Sequence, residues 1–301
     1  MKAKKQEKFQ VIGLIASSKT KKHAAFLKDL MKYLKKKKCK IIWDDHLTCI
    51  YGEENVQDRA KLLKSADLVI TLGGDGTVLK AVRDLPKRKN LYLFGINLGH
   101  VGFHTEVKKS KKAFDVLDEM LAGKYVIDDR TLLRVTLYRK GKKIATHLAL
   151  NDAAINQGNF ARLICLKTEI DQRKMINFKA DGMIIATPTG STGHSLSAGG
   201  PIVHPHLDAL IFTPVCPSDL SIRPVIIPSS REMTITIDTE RRFEDNKIGL
   251  TIDGQIVIPV EYGDKITVRK SSRRLRFIRR NSSIGSYYRV LRNKLGWGQK
   301  S

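Results

Sequence analysis

Asp75 lies in the run Leu72-Gly73-Gly74-Asp75-Gly76-Thr77-Val78-Leu79, one carboxylate among three glycines. Glycines let a backbone turn with no Cβ in the way of a ligand, and the free N–H groups of such a turn, beside a helix N-terminus, form a phosphate-sized concavity. A carboxylate placed among those donors is electrostatically awkward next to phosphate unless it binds a metal or takes a proton from an attacking hydroxyl. The combination points towards a kinase. For so short a motif, a plain turn with a capping carboxylate is the open alternative. Gly73, Gly74, Gly76 and Thr77 form the candidate phosphate-donor loop, and Thr77 is expected to cap the following helix.

Two further stretches carry polar chemistry. Gly95-Ile96-Asn97-Leu98-Gly99-His100-Val101-Gly102-Phe103 is a second glycine-rich loop, placed after a strand-like run at 91–96. From Thr187 to Gly200 the chain supplies six Ser/Thr hydroxyls and four glycines with no Asp, Glu, Lys or Arg. That composition is poor for a core, and a wall of such groups suits a sugar or purine better than a metal. His194, His204 and His206 have no ligand-like spacing to nearby acids, so no metal ligands are assigned.

The elements that must position these groups are legible from periodicity. Strand-like runs at 9–16, 40–43, 66–72 and 91–96 alternate with helical spacing at 23–38, a stretch after Asn55 reaching Leu63, and a stretch from Ser110 to Leu121 closed by Gly123. Strands alternating with helices predict a Rossmann-like α/β domain with a parallel sheet over residues 1–125, its ligands at the carboxyl ends of the strands. Beyond Tyr125 the pattern changes. Residues 130–139 alternate apolar and polar and turn at Lys140-Gly141 into 144–150, a hairpin, and many short strand-like runs follow (162–170, 183–186, 209–213, 225–227, 233–237, 248–252, 255–260, 265–268 and 275–278), with Asp253-Gly254 as a tight-turn pair. These predict an all-β sandwich over 126–280. A basic tail, 281–301, has rough helical spacing at Tyr287, Val290, Leu291 and Leu295 and is expected to pack back on the first domain.

Taken in order, these motifs resemble the NAD kinase family, which phosphorylates the 2′-hydroxyl of the adenosine ribose of NAD to give NADP. The resemblance covers almost the whole chain: Gly73-Gly74-Asp75-Gly76, then Asn97 to Phe103, then Leu150-Asn151-Asp152, then Asp181 to Pro205, then Asp253-Gly254-Gln255. It implies an α/β domain followed by a β-sandwich, Asp75 as general base, and Gly76 beside the substrate. It also implies that Asn151 and Asp152 hold NAD ribose, and that Lys179, Asp181, Thr192, Gly193, His194, Ser195, Leu196, Ser197 and Gln255 contact NAD. Lys80 and Arg162 are weaker candidates of the same kind. ATP as phosphoryl donor, a divalent cation such as Mg²⁺, and a homodimer or homotetramer are implied as well. Three places depart from the family pattern: Asp152 stands for a commoner Glu, Gly193-His194 for Ala-Tyr, and Pro217-Ser218-Asp219 for Pro-His-Ser/Thr.

The 301 residues suffice for two domains with real cores. No 18-residue apolar run, signal-peptide pattern or lipidation motif is found, so a cytoplasmic protein with no membrane partner is expected. Cys39, Cys49, Cys165 and Cys216 are widely spaced and read as free buried thiols. The net charge of +25 is concentrated at the ends, with 14 Lys and 2 acids in residues 1–40 and 11 Lys/Arg with no acid in 269–301. A solubility role is the simpler reading of those ends, and nucleic acid is not the expected partner. Two competing functions are weighed: a lipid or sphingoid-base kinase, which shares Gly-Gly-Asp-Gly but needs an apolar acceptor cleft, and a nucleic-acid-binding protein using the basic ends.

Overall fold

The computed structural model describes residues 9–18, 20–87, 91–99, 102–158, 163–238, 248–280 and 286–296. It divides into two compact units, Met1–Asp129 with Arg276–Ser301, and Arg130–Leu275. Arg162, Trp297 and parts of the basic ends lie outside the described residues.

The first unit holds β1 (Val11–Ala16), α1 (Ala24–Lys35), β2 (Lys40–Trp43), α2 (Thr48–Tyr51), α3 (Arg59–Ser65), β3 (Leu68–Gly73), α4 (Asp75–Arg83), β4 (Tyr92–Asn97), β5 (Val107–Lys108) and α5 (Lys111–Leu121). Its strands run in the order β2-β1-β3-β4, all parallel. On its other edge β4 is joined by β5, and its first two residues pair with Arg276 and Phe277. β3 and β4 are buried along their whole length, as expected of parallel strands covered on both faces. One face presents Ile12, Leu14, Ile70 and Phe94 to Leu27, Leu30 and Leu34 of α1 and to Val116 and Met120 of α5. On the opposite face Gly13 leaves the room that Leu62 of α3 fills. Each such buried aliphatic contributes about 1.5–3 kcal/mol.

The second unit is built from β6 (Val126–Arg139), β7 (Lys142–Ala149), β8 (Asp152–Asn156), β9 (Ile164–Ile170), β10 (Arg173–Ala180), β11 (Gly182–Ala186), the short helix α6 (His194–Ser197), β12 (Ala209–Val215), β13 (Val225–Pro228), β14 (Met233–Ile237), β15 (Ile248–Ile252), β16 (Ile256–Val260) and β17 (Lys265–Arg279). β6 begins, and β17 ends, with residues of the first unit. One sheet runs β10-β9-β14-β17, with β6 pairing β17 and β7. The other is a six-stranded antiparallel sheet, β13-β12-β11-β8-β15-β16. Their alternating inward residues, among them Leu166, Ile235 and Ile266 of the first sheet and Ile155, Ile185 and Leu250 of the second, share one core. α7 (Ser286–Leu295) carries a buried Leu291.

Several local expectations are corrected. α3 is capped by Asp58, whose side chain accepts the N–H of Ala60 at 2.9 Å, and not by Asn55. α1 stops at Lys35, short of residue 38. Ser110 holds the N-cap position of α5 without a side-chain cap bond. The runs at 265–268 and 275–278 are one strand, β17, while β8 and β10 were not anticipated. Cys49 and Cys216 are exposed and the other two thiols half-buried, so none is a fully buried thiol.

Candidate active site

In the first unit β3 ends at Gly73 and α4 starts at once, with Gly74 as its N-cap. Thr77 therefore lies inside the first turn and does not cap the helix; its hydroxyl fills the space that a side chain at Gly73 would take. The turn is made without left-handed backbone, since Gly73, Gly74 and Gly76 are not among the positive-φ residues. What the glycines supply is close approach.

Asp75 opens α4, yet its carboxylate bonds outside its own helix. Oδ2 accepts the N–H of Phe103 at 2.8 Å and Oδ1 that of His104 at 3.0 Å. Gly102 is obligatory here, because a Cβ at that position would collide with all three carboxylate atoms. The second glycine loop is itself held by Asn97. Its Oδ1 accepts the N–H of Gly99 at 2.6 Å, and its Nδ2 donates to Thr105 Oγ1 at 3.1 Å. Beneath the loop the buried His104 ring stacks parallel on Phe277 at 6.3 Å, and the Arg279 guanidinium lies over the other ring at 5.1 Å. The two bonds fix the rotation of the Asp75 carboxylate while leaving about half of its four lone-pair directions free to accept a proton. Lys80 stands five residues further along α4, about 140° round the helix from Asp75, so the two do not share a face.

In the second unit, three sequence-distant motifs meet at one end of the six-stranded sheet. β8 is central and antiparallel to both neighbours, so its first residue, Asp152, pairs with Ala186 at the end of β11, and Ala153 pairs with Ile252 at the end of β15. This brings Asn151-Asp152, the segment starting at Thr187, and Asp253-Gly254-Gln255 together. Asp253 Oδ2 accepts the N–H of Leu150 at 2.9 Å, and Oδ1 accepts those of Asn151 at 2.8 Å and Asp152 at 3.0 Å. From the other side Thr187 donates its N–H to the Asn151 carbonyl at 2.8 Å and its hydroxyl to that of Leu150 at 2.5 Å. Asn151 Oδ1 is buried and accepts no hydrogen bond among the described residues. Burial, reinforced by the neighbouring Asp253 charge, raises the Asp152 carboxyl to about 7. Burial also raises Asp253, against the lowering effect of its three backbone donors.

The hydroxyl-rich block departs from the expectation of an open polar wall. Thr187, Thr189, Ser191 and Ser195 are buried, and their hydroxyls are used within the protein. Ser195 pairs with Thr213 Oγ1 at 2.9 Å, Ser191 holds the Pro188 and Val203 backbone, and Thr189 accepts from Arg130. The block covers the outer sheet face formed by Ala154, Ile184 and Ile211, and its hydroxyls replace the hydrogen bonds its backbone gives up on burial. Thr192, Gly193 and Leu196 remain half-buried, and His194 and Ser197 exposed. Lys179 and Asp181 are not gathered with Asn151: they lie at the opposite end of β11, roughly 16 Å away at the usual strand rise. There Asp181 accepts from Gln157 Nε2 at 2.8 Å.

The fold of the chain is shared with solved NAD(H) kinases. The yeast NADH kinase complexed with NADH matches with a TM-score of 0.86 at 26% identity over 98% of this chain and 90% of that one. An NAD kinase from Archaeoglobus fulgidus in complex with ATP shares the fold, with a TM-score of 0.73 at 23% identity over 94% of this chain and 98% of that one. Residues 6–125 match the family description "ATP-NAD kinase N-terminal domain" and residues 150–280 "ATP-NAD kinase C-terminal domain". The NAD kinase of Geotalea daltonii is 43% identical over 255 residues, 85% of this chain and 86% of the relative, and that of Syntrophotalea carbinolica 36% identical over 290 residues, 96% and 99%. The chain belongs to the NAD kinase family.

Proposed function

We infer that the chain is an NAD kinase, a phosphotransferase converting NAD to NADP, and that Asp75 is its general base. Family membership carries the overall activity. For the role of Asp75, the supporting observation is a carboxylate fixed by two backbone N–H groups at the carboxyl end of a buried parallel strand, where open α/β sheets bind their ligands. A ribose hydroxyl is a poor nucleophile, and a carboxylate within reach that takes its proton contributes roughly 10²–10⁴-fold.

Gly73, Gly74, Gly76 and Thr77 serve the phosphoryl donor, which is ATP on the strength of the family description and the ATP complex of the archaeal neighbour. Asn151 and Asp152 hold ribose; the unused Asn151 Oδ1 supports this. Gln255 and residues 192–197 complete the acceptor site, and Lys80, Arg162, Lys179 and Asp181 enter by resemblance alone. A divalent cation, Mg²⁺ by resemblance, would be carried by the donor's phosphates, which bind it with few protein carboxylates. A homodimer or homotetramer enters by resemblance alone. No helix among the described residues is long and apolar enough to cross a membrane, and a cytoplasmic enzyme is the reading adopted. Incubation with NAD, ATP and Mg²⁺, with NADP read by an NADP-specific dehydrogenase, tests the activity; no NADP above a protein-free control contradicts it.

A further inference from the structure

We propose that Asp253 is the positioning residue for ribose recognition: its single carboxylate gathers the N–H groups of Leu150, Asn151 and Asp152 and so presents the Asn151 and Asp152 side chains before the ligand arrives. The inference rests on the ribose-binding role given above to those two residues.

Three consecutive N–H groups converging on one point make a backbone nest, the concavity that elsewhere takes phosphate. Here the nest is filled from within the chain, at 2.8–3.0 Å, by a side chain more than a hundred residues away in sequence. An internal anion in the nest excludes phosphate from it, leaving side chains as the recognition groups of this loop. The remaining backbone groups are also committed. The carbonyls of Leu150 and Asn151 go to Thr187, and that of Asp152 accepts the N–H of Asp253 at 2.9 Å. Against this saturated backbone, the buried Asn151 Oδ1 with no acceptor use among the described residues is the group left for a ligand. Gly190 tightens the clasp, since a Cβ there would overlap the Asn151 backbone.

The chemistry requires a carboxylate. An ionised Asp is acceptor-only and can take all three N–H groups, whereas an Asn in its place offers one acceptor oxygen and turns an NH₂ donor towards an N–H donor. Asp253 also occupies left-handed backbone, φ +51°, followed by Gly254 at +62°. Asp tolerates that region and most side chains do not, so turn and carboxylate are specified together.

Asp253→Asn tests the assignment by steady-state kinetics with NAD varied at saturating ATP, alongside a thermal melt. The expected result is a KM for NAD raised by at least about fivefold, a kcat that falls by less than KM rises, and an unchanged KM for ATP, the pattern of lost ground-state binding. A cooperatively folded variant with a smaller rise in KM overturns the proposal. If the variant does not melt cooperatively, hydrogen exchange of the ligand-free wild-type protein decides. Slow exchange at the Asn151 and Asp152 amides supports the internal clasp, and exchange at the rate of an open loop overturns it. Wild-type protein that makes no NADP would instead contradict the functional reading, while the exchange measurement still judges the clasp.

Discussion

Phe103 donates its backbone N–H to Asp75 Oδ2 at 2.8 Å, so the carboxylate of the first glycine loop is held by the backbone of the second. The side chain that notionally caps its own helix is spent on a partner 28 residues away. Two glycine-rich motifs that look independent in sequence form one device.

Gly102→Ala should disable that device without unfolding the protein. The added methyl falls on the Asp75 carboxylate, and either the carboxylate rotates or the loop withdraws. A displacement on the scale of 1 Å at a reacting group costs up to about 10²-fold. We expect kcat to fall by roughly 10–10²-fold with a near-native circular dichroism spectrum; wild-type turnover would show that the contact does not matter.

Arg279→Ala should be a stability mutation. The guanidinium is almost fully buried between Asp128, at 2.6 Å, and Glu106, at 3.0 Å, and those carboxylates keep it protonated against its burial. Removing it takes from two buried carboxylates their nearest cation, leaving Glu106 with the more distant Arg280 at 3.8 Å, a loss of about 3–5 kcal/mol. Urea unfolding should show that loss, and a change below about 1 kcal/mol would mean that the pair is effectively solvated.

Asp152 gives the stability a defined pH dependence. Its carboxyl holds a proton up to about 7 in the folded chain, while the unfolded side chain releases it near the ordinary value of 3.8. Between those limits the unfolded state binds fewer protons, so stability falls as pH rises through this window and levels off above it. Asp253 pushes the same way. Asp152→Asn should stabilise the protein by about 1–3 kcal/mol at pH 7.5, by less at pH 4.5, and leave it unchanged at pH 3, below both values. Melting curves with identical slopes in both proteins would contradict this.

The acceptor should be a dinucleotide and not a lipid. Parallel assays with NAD and diacylglycerol at equal ATP should phosphorylate NAD alone. Phosphorylated diacylglycerol would favour the lipid-kinase reading instead.

Much of this was legible from residue type and spacing. Apolar runs interrupted by glycine gave the parallel strands, and period-two alternation with Lys140-Gly141 and Asp253-Gly254 gave the hairpins, whose turns adopt left-handed backbone as such pairs require. The misses share a physical cause. β10 is the edge strand of its sheet, and its exposed Arg173, Lys174, Asn177 and Lys179 interrupt the apolar Met175, Ile176, Phe178 and Ala180, so no clean alternation marks it. β17 passes through Ser271 and Arg273, which read as a loop although the strand is continuous. Asp253 reads in sequence as a turn residue only, because local sequence specifies its backbone while its carboxylate serves amides 101 to 103 positions away. Likewise the hydroxyls of Thr187, Thr189, Ser191 and Ser195 looked like ligand contacts and are largely internal, a distinction set by burial and not by composition.

Asp75→Asn tests the central claim most directly. NAD binding by calorimetry and NADP formation in the coupled assay should separate, with affinity within a few-fold of wild type and kcat reduced by at least about 10²-fold, the usual contribution of a positioned base. Turnover within a few-fold of wild type in a folded variant would remove Asp75 from the mechanism.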